Sequence, residues 1–322
     1  KMSYNGSFLI TEVNALQIAN SWPGRLVQAT EGFVMGGGSG AGTFTVRMQY
    51  SDDTALMTNR GNMSTSGNNA AGGGGVLNTS SFCWGLHPHP TTIEKFTHAT
   101  NTCSIPTGKG TQTNSSRSGW DRVDYIHVCG GANNVNNHER YDLTSETSNA
   151  ITRGLMTFGH WRGGGMSTEV YGAGYVVGGS GAGTTYHTTV DKWSHATDNS
   201  TATKVANRPH ASGDLSGGAT KEHGYAVGGN QSGTSSVDRL LFATDTTNMV
   251  TRTTLTKAGS NKGVHGSEEY KYVSGGYTGG AISTTERWDI SNDTAAIVAR
   301  GNLPQTMGSP HGGSEGNSHD PG

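Results

Sequence analysis

The sequence predicts an all-β chain, and three observations carry that prediction. A motif recurs every 45 to 50 residues, and each copy holds four short β-prone runs divided by Gly, Ser, Asn, Asp and Thr. No stretch sustains the 3.6-residue apolar period of a helix. Antiparallel four-stranded units repeated at this spacing are the mark of a β-propeller, in which each sheet is buried between its neighbours and only short edges remain. The whole chain, 1–322, reads as one such domain.

The repeat is clearest in YGAGYVVGGSGAGTTYHTTVDKWSHATDNS from Tyr171, HGYAVGGNQSGTSSVDRLLFATDTT from His223 and YKYVSGGYTGGAISTTERWDISNDTA from Tyr270. An apolar run ends in Gly-Gly; a small polar loop, an acidic-basic pair with an apolar neighbour, and an acidic turn follow. Weaker copies are GFVMGGG, FCWGL and YIHVCGG. The first glycines are Gly36, Gly85, Gly130, Gly178, Gly228 and Gly275. The acidic member of the pair is Glu94, Glu139, Asp191, Asp238 and Glu286, and the first copy carries Val46-Arg47-Met48 instead. Turn acids fall at Asp53, Glu146, Asp198, Asp245 and Asp293, with Asn101 standing in.

Neighbours on a strand point to opposite faces, so the acidic-basic pairs cannot bond to each other. They are expected to bridge blades, with Arg153, Arg252 and Arg300 on the fourth strands as partners. Repetition at one structural level argues for architecture rather than catalytic carboxylates.

Composition excludes several classes. Charged residues are 14% against a norm of roughly 25%, and the formal net charge is −2, which supplies no phosphate-neutralising surface for nucleic acid. The apolar set is 31%, and 51 residues are glycine. No run approaches a membrane span, so no membrane insertion is expected, and the start KMSYNGSFLITEVN does not read as a secretory leader. The odd number of cysteines, Cys83, Cys103 and Cys129, without C-x-x-C, predicts no disulfide framework. Cys83 and Cys129 sit just before the Gly-Gly turn, where other copies carry Val177 or Val227, and read as small core residues.

The Gly-Gly strand, the paired strand and the acidic turn resemble the kelch repeat. The units are also similar to the Gly/Thr/Asn-rich propeller repeats in structural proteins of marine cyanobacterial tailed phages, read as Tyr-Gly-Tyr-x-Gly-Gly, Val-Asp-Arg and Ser-Asn-Asp-Thr-Ala. Ser291-Asn292-Asp293-Thr294-Ala295 and Ser51-Asp52-Asp53-Thr54-Ala55 carry the last piece.

That resemblance implies a non-enzymatic virion structural protein: a capsid decoration, head fibre or tail-associated propeller, present in multiple copies and mediating assembly or surface attachment. Its partners would be other virion proteins and host-surface glycans. The alternative is a carbohydrate-binding adhesin or receptor-binding propeller, secreted or on a cell surface. A kelch-type oxidase would need a copper site of His, Tyr and Cys, and no such cluster is recognisable. No cofactor is expected.

The repeat count is expected to close as seven blades, the last built from both termini. In that reading SFLITEVNALQIAN, within 1–23, supplies outer strands, with Glu12 at the turn-acid position, and the segment 308–322 supplies the first strand through Gly308 to Gly316. The seventh blade then lacks its Gly-Gly strand, or the chain continues past Gly322. Six blades with extra terminal strands is the alternative.

Candidate sites are few. His160, His210, His265 and His311 recur near the start of first strands and could ring the channel mouth around a metal or anion, but a repeated local structural role is the favoured account, since four equivalent atoms around a wide channel stand too far apart for one ion. His87-Pro88-His89-Pro90 lacks the further ligands a metal needs. GGGSGAGT at Gly36 and GGSGAGT at Gly178 spell a nucleotide loop, but strands follow where a helix N-terminus is required. Gly312-x-Ser314-x-Gly316 spells a hydrolase elbow without the helix or partners. No catalytic or metal site is therefore assigned.

Overall fold

A computed structural model describes residues 30–37, 43–64, 71–73, 80–84, 91–108, 117–122, 124–182, 185–231 and 235–314, with 71–73 and 311–314 described as backbone. It contains six four-stranded antiparallel sheets and, among the described residues, no α-helix. The first blade orders its strands from the inside out as His311–Ser314, Glu31–Met35, Phe44–Gln49 and Thr58–Asn62. The second is Ala71–Gly73, Ser80–Trp84, Ile93–Thr97 and Thr102–Ser104, and the third is Ser118–Asp121, Tyr125–Cys129, Asn137–Asp142 and Ile151–Leu155. The fourth blade is Gly164–Thr168, Ala173–Val177, Thr189–Ser194 and Thr203–Asn207. The fifth is Ser216–Ala219, His223–Val227, Ser236–Leu241 and Val250–Thr254, and the sixth is Gly263–Gly266, Tyr270–Ser274, Thr285–Asp289 and Val298–Arg300.

The expectation of seven blades is thus corrected to six. The C-terminal strand pairs Met35 with His311 and Gly32 with Ser314, so it supplies the first strand of the blade that begins at Glu31. The Gly-Gly strand that a seventh blade seemed to lack is the one at Gly36. Residues 30–314 span about six periods of the repeat, so dividing the full length of 322 by the period overcounts. The strands expected within 1–23, including Glu12, lie outside the described residues.

The Gly-Gly signal has a backbone cause. Gly36, Gly130, Gly178, Gly228 and Gly275 all adopt φ between 62° and 67°, a left-handed conformation that costs glycine little. In each case the amide closes the turn onto the third strand, as Gly178 does to the Thr189 carbonyl at 2.9 Å and Gly228 to that of Ser236 at 2.9 Å. Gly85 lies outside the described residues.

Glycine also lets the innermost strands touch. A Cβ at Gly165 would overlap the Gly119 carbonyl of the preceding blade, and one at Gly217 would overlap the Gly165 carbonyl. The Gly163 amide donates to Ser118 Oγ at 2.7 Å across the same interval.

The core is correspondingly divided: six apolar clusters fill the six seams between blades. In the third strand the acid and the apolar residue two positions later face the preceding blade, and the base between them faces the following one. Trp193 thus packs with Trp120 and Met156 of the third blade, while Lys192 reaches the fifth.

Candidate functional site

The repeated charged residues sort into two sets. The third-strand acids Glu94, Glu139, Asp191, Asp238 and Glu286 are each at most 2% exposed. They hold the connection arriving from the preceding blade: Asp191 accepts from the Thr157 amide at 2.9 Å and hydroxyl at 2.7 Å, and Glu94 from the Ser64 amide at 3.1 Å. Glu286 takes both the amide and the hydroxyl of Thr256. Two pair with buried guanidiniums, Glu139 with Arg117 at 3.0 Å and Asp238 with Arg208 at 2.5 Å. Burial raises the Asp191 carboxyl above its usual range, against the two bonds from Thr157 that lower it.

The turn acids form the second set, and they receive the arginines expected to meet the third-strand acids. Asp198 binds Arg140 and Arg153, Asp293 binds Arg239 and Arg252, and Asp53 binds Arg287 and Arg300, at 2.6 to 3.0 Å. Lysines take this role toward Asp245, from Lys192, and Glu146, from Lys95. A second-strand tyrosine completes three of these clasps: Tyr175 donates to Asp245 at 2.7 Å, Tyr272 to Asp53 at 2.9 Å and Tyr225 to Asp293 at 3.4 Å. The inter-blade bridge is therefore present, but its carboxylate is the turn acid.

The described histidine side chains do not form one ring. His160 is buried before the fourth blade's first strand, His265 is buried within the sixth blade's, and His210 is half-buried with Nε2 3.4 Å from Thr251 Oγ1. The side chain of His311 and the residues His87 and His89 lie outside what is described. Among the described residues no three His, Cys, Asp or Glu side chains converge as metal ligands.

His265 instead sits in a buried relay: Tyr50 Oη is 3.2 Å from its Nδ1, Ser274 Oγ is 3.1 Å from its Nε2, and Thr285 Oγ1 is 3.0 Å from Ser274. Burial pushes this imidazole down to about 3. Ser274 and Thr285 are fully buried and Tyr50 is half-buried, so the relay runs inward from the rim of the seam that closes the ring. Cys83 and Cys129 are fully buried, and desolvation raises both thiols well above their usual range.

The residues that stand apart from the repeat gather on the face carrying the Gly-Gly turns. Arg162, Asp214 and Asn261 occupy one register before three successive innermost strands, with φ of 58°, 53° and 53°. Arg162 donates to Asp214 at 2.8 Å, stacks over Trp161 at 4.3 Å, and keeps a quarter of its side chain exposed. Asn230 donates to the other Asp214 oxygen at 2.6 Å. Burial raises the Asp214 carboxyl, with Arg162 the largest opposing influence. Nearby, Gln231 donates to Tyr186 at 3.3 Å. Asp214 is buried with both oxygens occupied, so what this fixed set offers a polar ligand is the partly exposed Arg162 guanidinium and Trp161 indole, by hydrogen bonds and stacking. Sequence reasoning missed it, although three different residue types at one repeat position were a signal.

A scan of the chain against protein-family models and a search of curated proteins return no match.

Proposed function

We propose that the chain is a non-enzymatic virion structural protein of a tailed phage, a decoration, head fibre or tail-associated propeller that mediates assembly or surface attachment. The observation that carries this reading is the polarity of the disc. Thr30 precedes and Ser314 ends two paired strands, so both ends of the described chain lie on the face opposite the Gly-Gly turns. The Trp161–Arg162–Asp214–Asn230 set lies on the Gly-Gly face. A module joined to a particle through one face and meeting its partner with the other has this layout, and many weakly binding copies sum to firm attachment. The commitment of the repeated acids to the seams supports a scaffold rather than a catalyst, and the kelch-like and phage-like repeat grammar supports the virion assignment.

Mass spectrometry and immunolabelling of purified particles test it. The protein is expected at stoichiometric copy number on the particle, and its absence there would sink the assignment.

The alternative of glycan binding is favoured by the indole and the fixed polar groups beside it. Binding on a glycan array that disappears in Trp161→Ala, with thermal stability retained, would establish it; an array without a binder would remove it.

A further inference from the structure

Five seams place Phe or Tyr at the central position of the second strand: Phe33, Phe82, Tyr175, Tyr225 and Tyr272. The seam between the third and fourth blades places His127 there. Its Nδ1 lies 2.8 Å from Nε2 of His138, and both rings are fully buried. His127 stacks on Trp120 at 4.8 Å and on His195 of the fourth blade at 6.3 Å, and His138 packs against Trp193 at 5.0 Å. Where His138 stands, other blades carry Val190, Val237, Thr285 or Ile93.

We propose that this histidine stack is an acid-triggered opening point, at which the ring parts between its third and fourth blades before any other seam yields.

The chemistry follows from hydrogen count. A neutral pair shares one N–H along the line joining the two rings. An added proton must sit on an outer nitrogen, and His127 Nε2 has no hydrogen-bond partner among the described residues. A second proton puts hydrogens on both facing nitrogens and breaks the bond.

The surroundings oppose positive charge. Arg117, Arg122, Arg140 and Arg153 of the third blade face the pair together with His195, and among the described residues Asp198 and Glu169 of the fourth blade offset them. Glu139 is already paired with Arg117. Burial holds both imidazoles far below their usual range, His138 at about 3.

A histidine depressed in the closed ring contributes stability above its free value near 6.5, and that stability is lost as pH falls toward the depressed value. Two protons taken up on opening make the opening equilibrium rise on the order of 10³-fold between pH 7 and 4.5. The closure seam differs, because His265 is a single imidazole with both nitrogens bonded, to Tyr50 and Ser274.

Hydrogen–deuterium exchange of the full chain at pH 7 and 4.5, with labelling times corrected for intrinsic rates, tests the proposal. Segments 125–129, 137–142 and 193–202 are expected to lose protection first at pH 4.5, while 270–274 and 285–289 keep theirs. A His127→Tyr, His138→Val double variant, which rebuilds the seam on the pattern of the fifth blade, is expected to retain protection at pH 4.5. Simultaneous loss in all blades, first loss at the closure seam, or an unchanged acid response in the double variant would overturn it. If the double variant does not fold, the order of deprotection in the unsubstituted chain decides.

Discussion

The closure seam, between the sixth and first blades, and the seam between the first and second blades use the same repeat differently. At the closure, Asp53 collects Arg287, Arg300 and the Tyr272 hydroxyl, and Tyr50 stacks on Tyr272 at 5.0 Å. At the next seam Arg47 turns back to Glu31 of its own blade at 2.8 Å. The Nε atoms of Arg47 and Arg60 are buried without a hydrogen-bond partner among the described residues. The cause is local. Asn101 closes a four-residue hairpin in which Thr97 pairs with Thr102, and its φ of 53° suits Asn, so no carboxylate is presented. What remains there is stacking, with Phe33 on His98 at 4.3 Å. Among the described residues the charged clasp is strong at the closure seam, which residues 301–310 cross on the way to the C-terminal strand, and missing at the next seam.

The largest way to break this contrast is removal of residues 311–322. It deletes the first blade's innermost strand and uncovers Val34 and its neighbours, so loss of the cooperative unfolding transition by circular dichroism is expected; an unchanged midpoint would contradict the closure described above. Asp53→Asn comes next. It strands two guanidiniums and is expected to cost about 2–4 kcal/mol in urea titration, whereas Asn101→Gly should stay within about 0.5 kcal/mol.

A smaller effect, about 1 kcal/mol, is expected for Tyr272→Phe. Burial, reinforced by Asp53, holds the Tyr272 phenol well above its usual range. Its contribution is therefore complete below pH 10 and lost as pH rises beyond it. The substitution should flatten the alkaline limb of a pH–stability profile, and an unaltered limb would show that the hydroxyl is not the titrating group. Arg60→Gln should change the unfolding midpoint least, since that guanidinium makes no ion pair among the described residues; a loss above about 1 kcal/mol would reveal a partner.

The sequence makes the blades legible because their requirements are local. Gly178 and Gly228 mark left-handed turns, and Asp191-Lys192-Trp193 marks a strand with two buried faces. It left blade number open, since His311–Ser314 is four residues whose partner, Glu31–Met35, lies at the other end of the chain. The partners of the acids were legible only in kind: Arg153 does bridge blades, but which carboxylate it meets depends on a loop four residues beyond the third strand. Asn101 satisfied that spacing and still presents no acid, because its hairpin is tighter. Trp161, Arg162, Asp214 and Asn230 were not legible, since they come from separate loops and converge only when the fourth and fifth blades are side by side.

Gly32 and Ser314 are a paired couple, so a short peptide could join the ends of the described chain without disturbing a seam. Rejoined there and opened in a loop of another blade, the chain would thread the same six sheets in a rotated order. The starting blade is thus a matter of numbering, and circular permutants cut in different blades would report, one seam at a time, how much each joint depends on chain continuity.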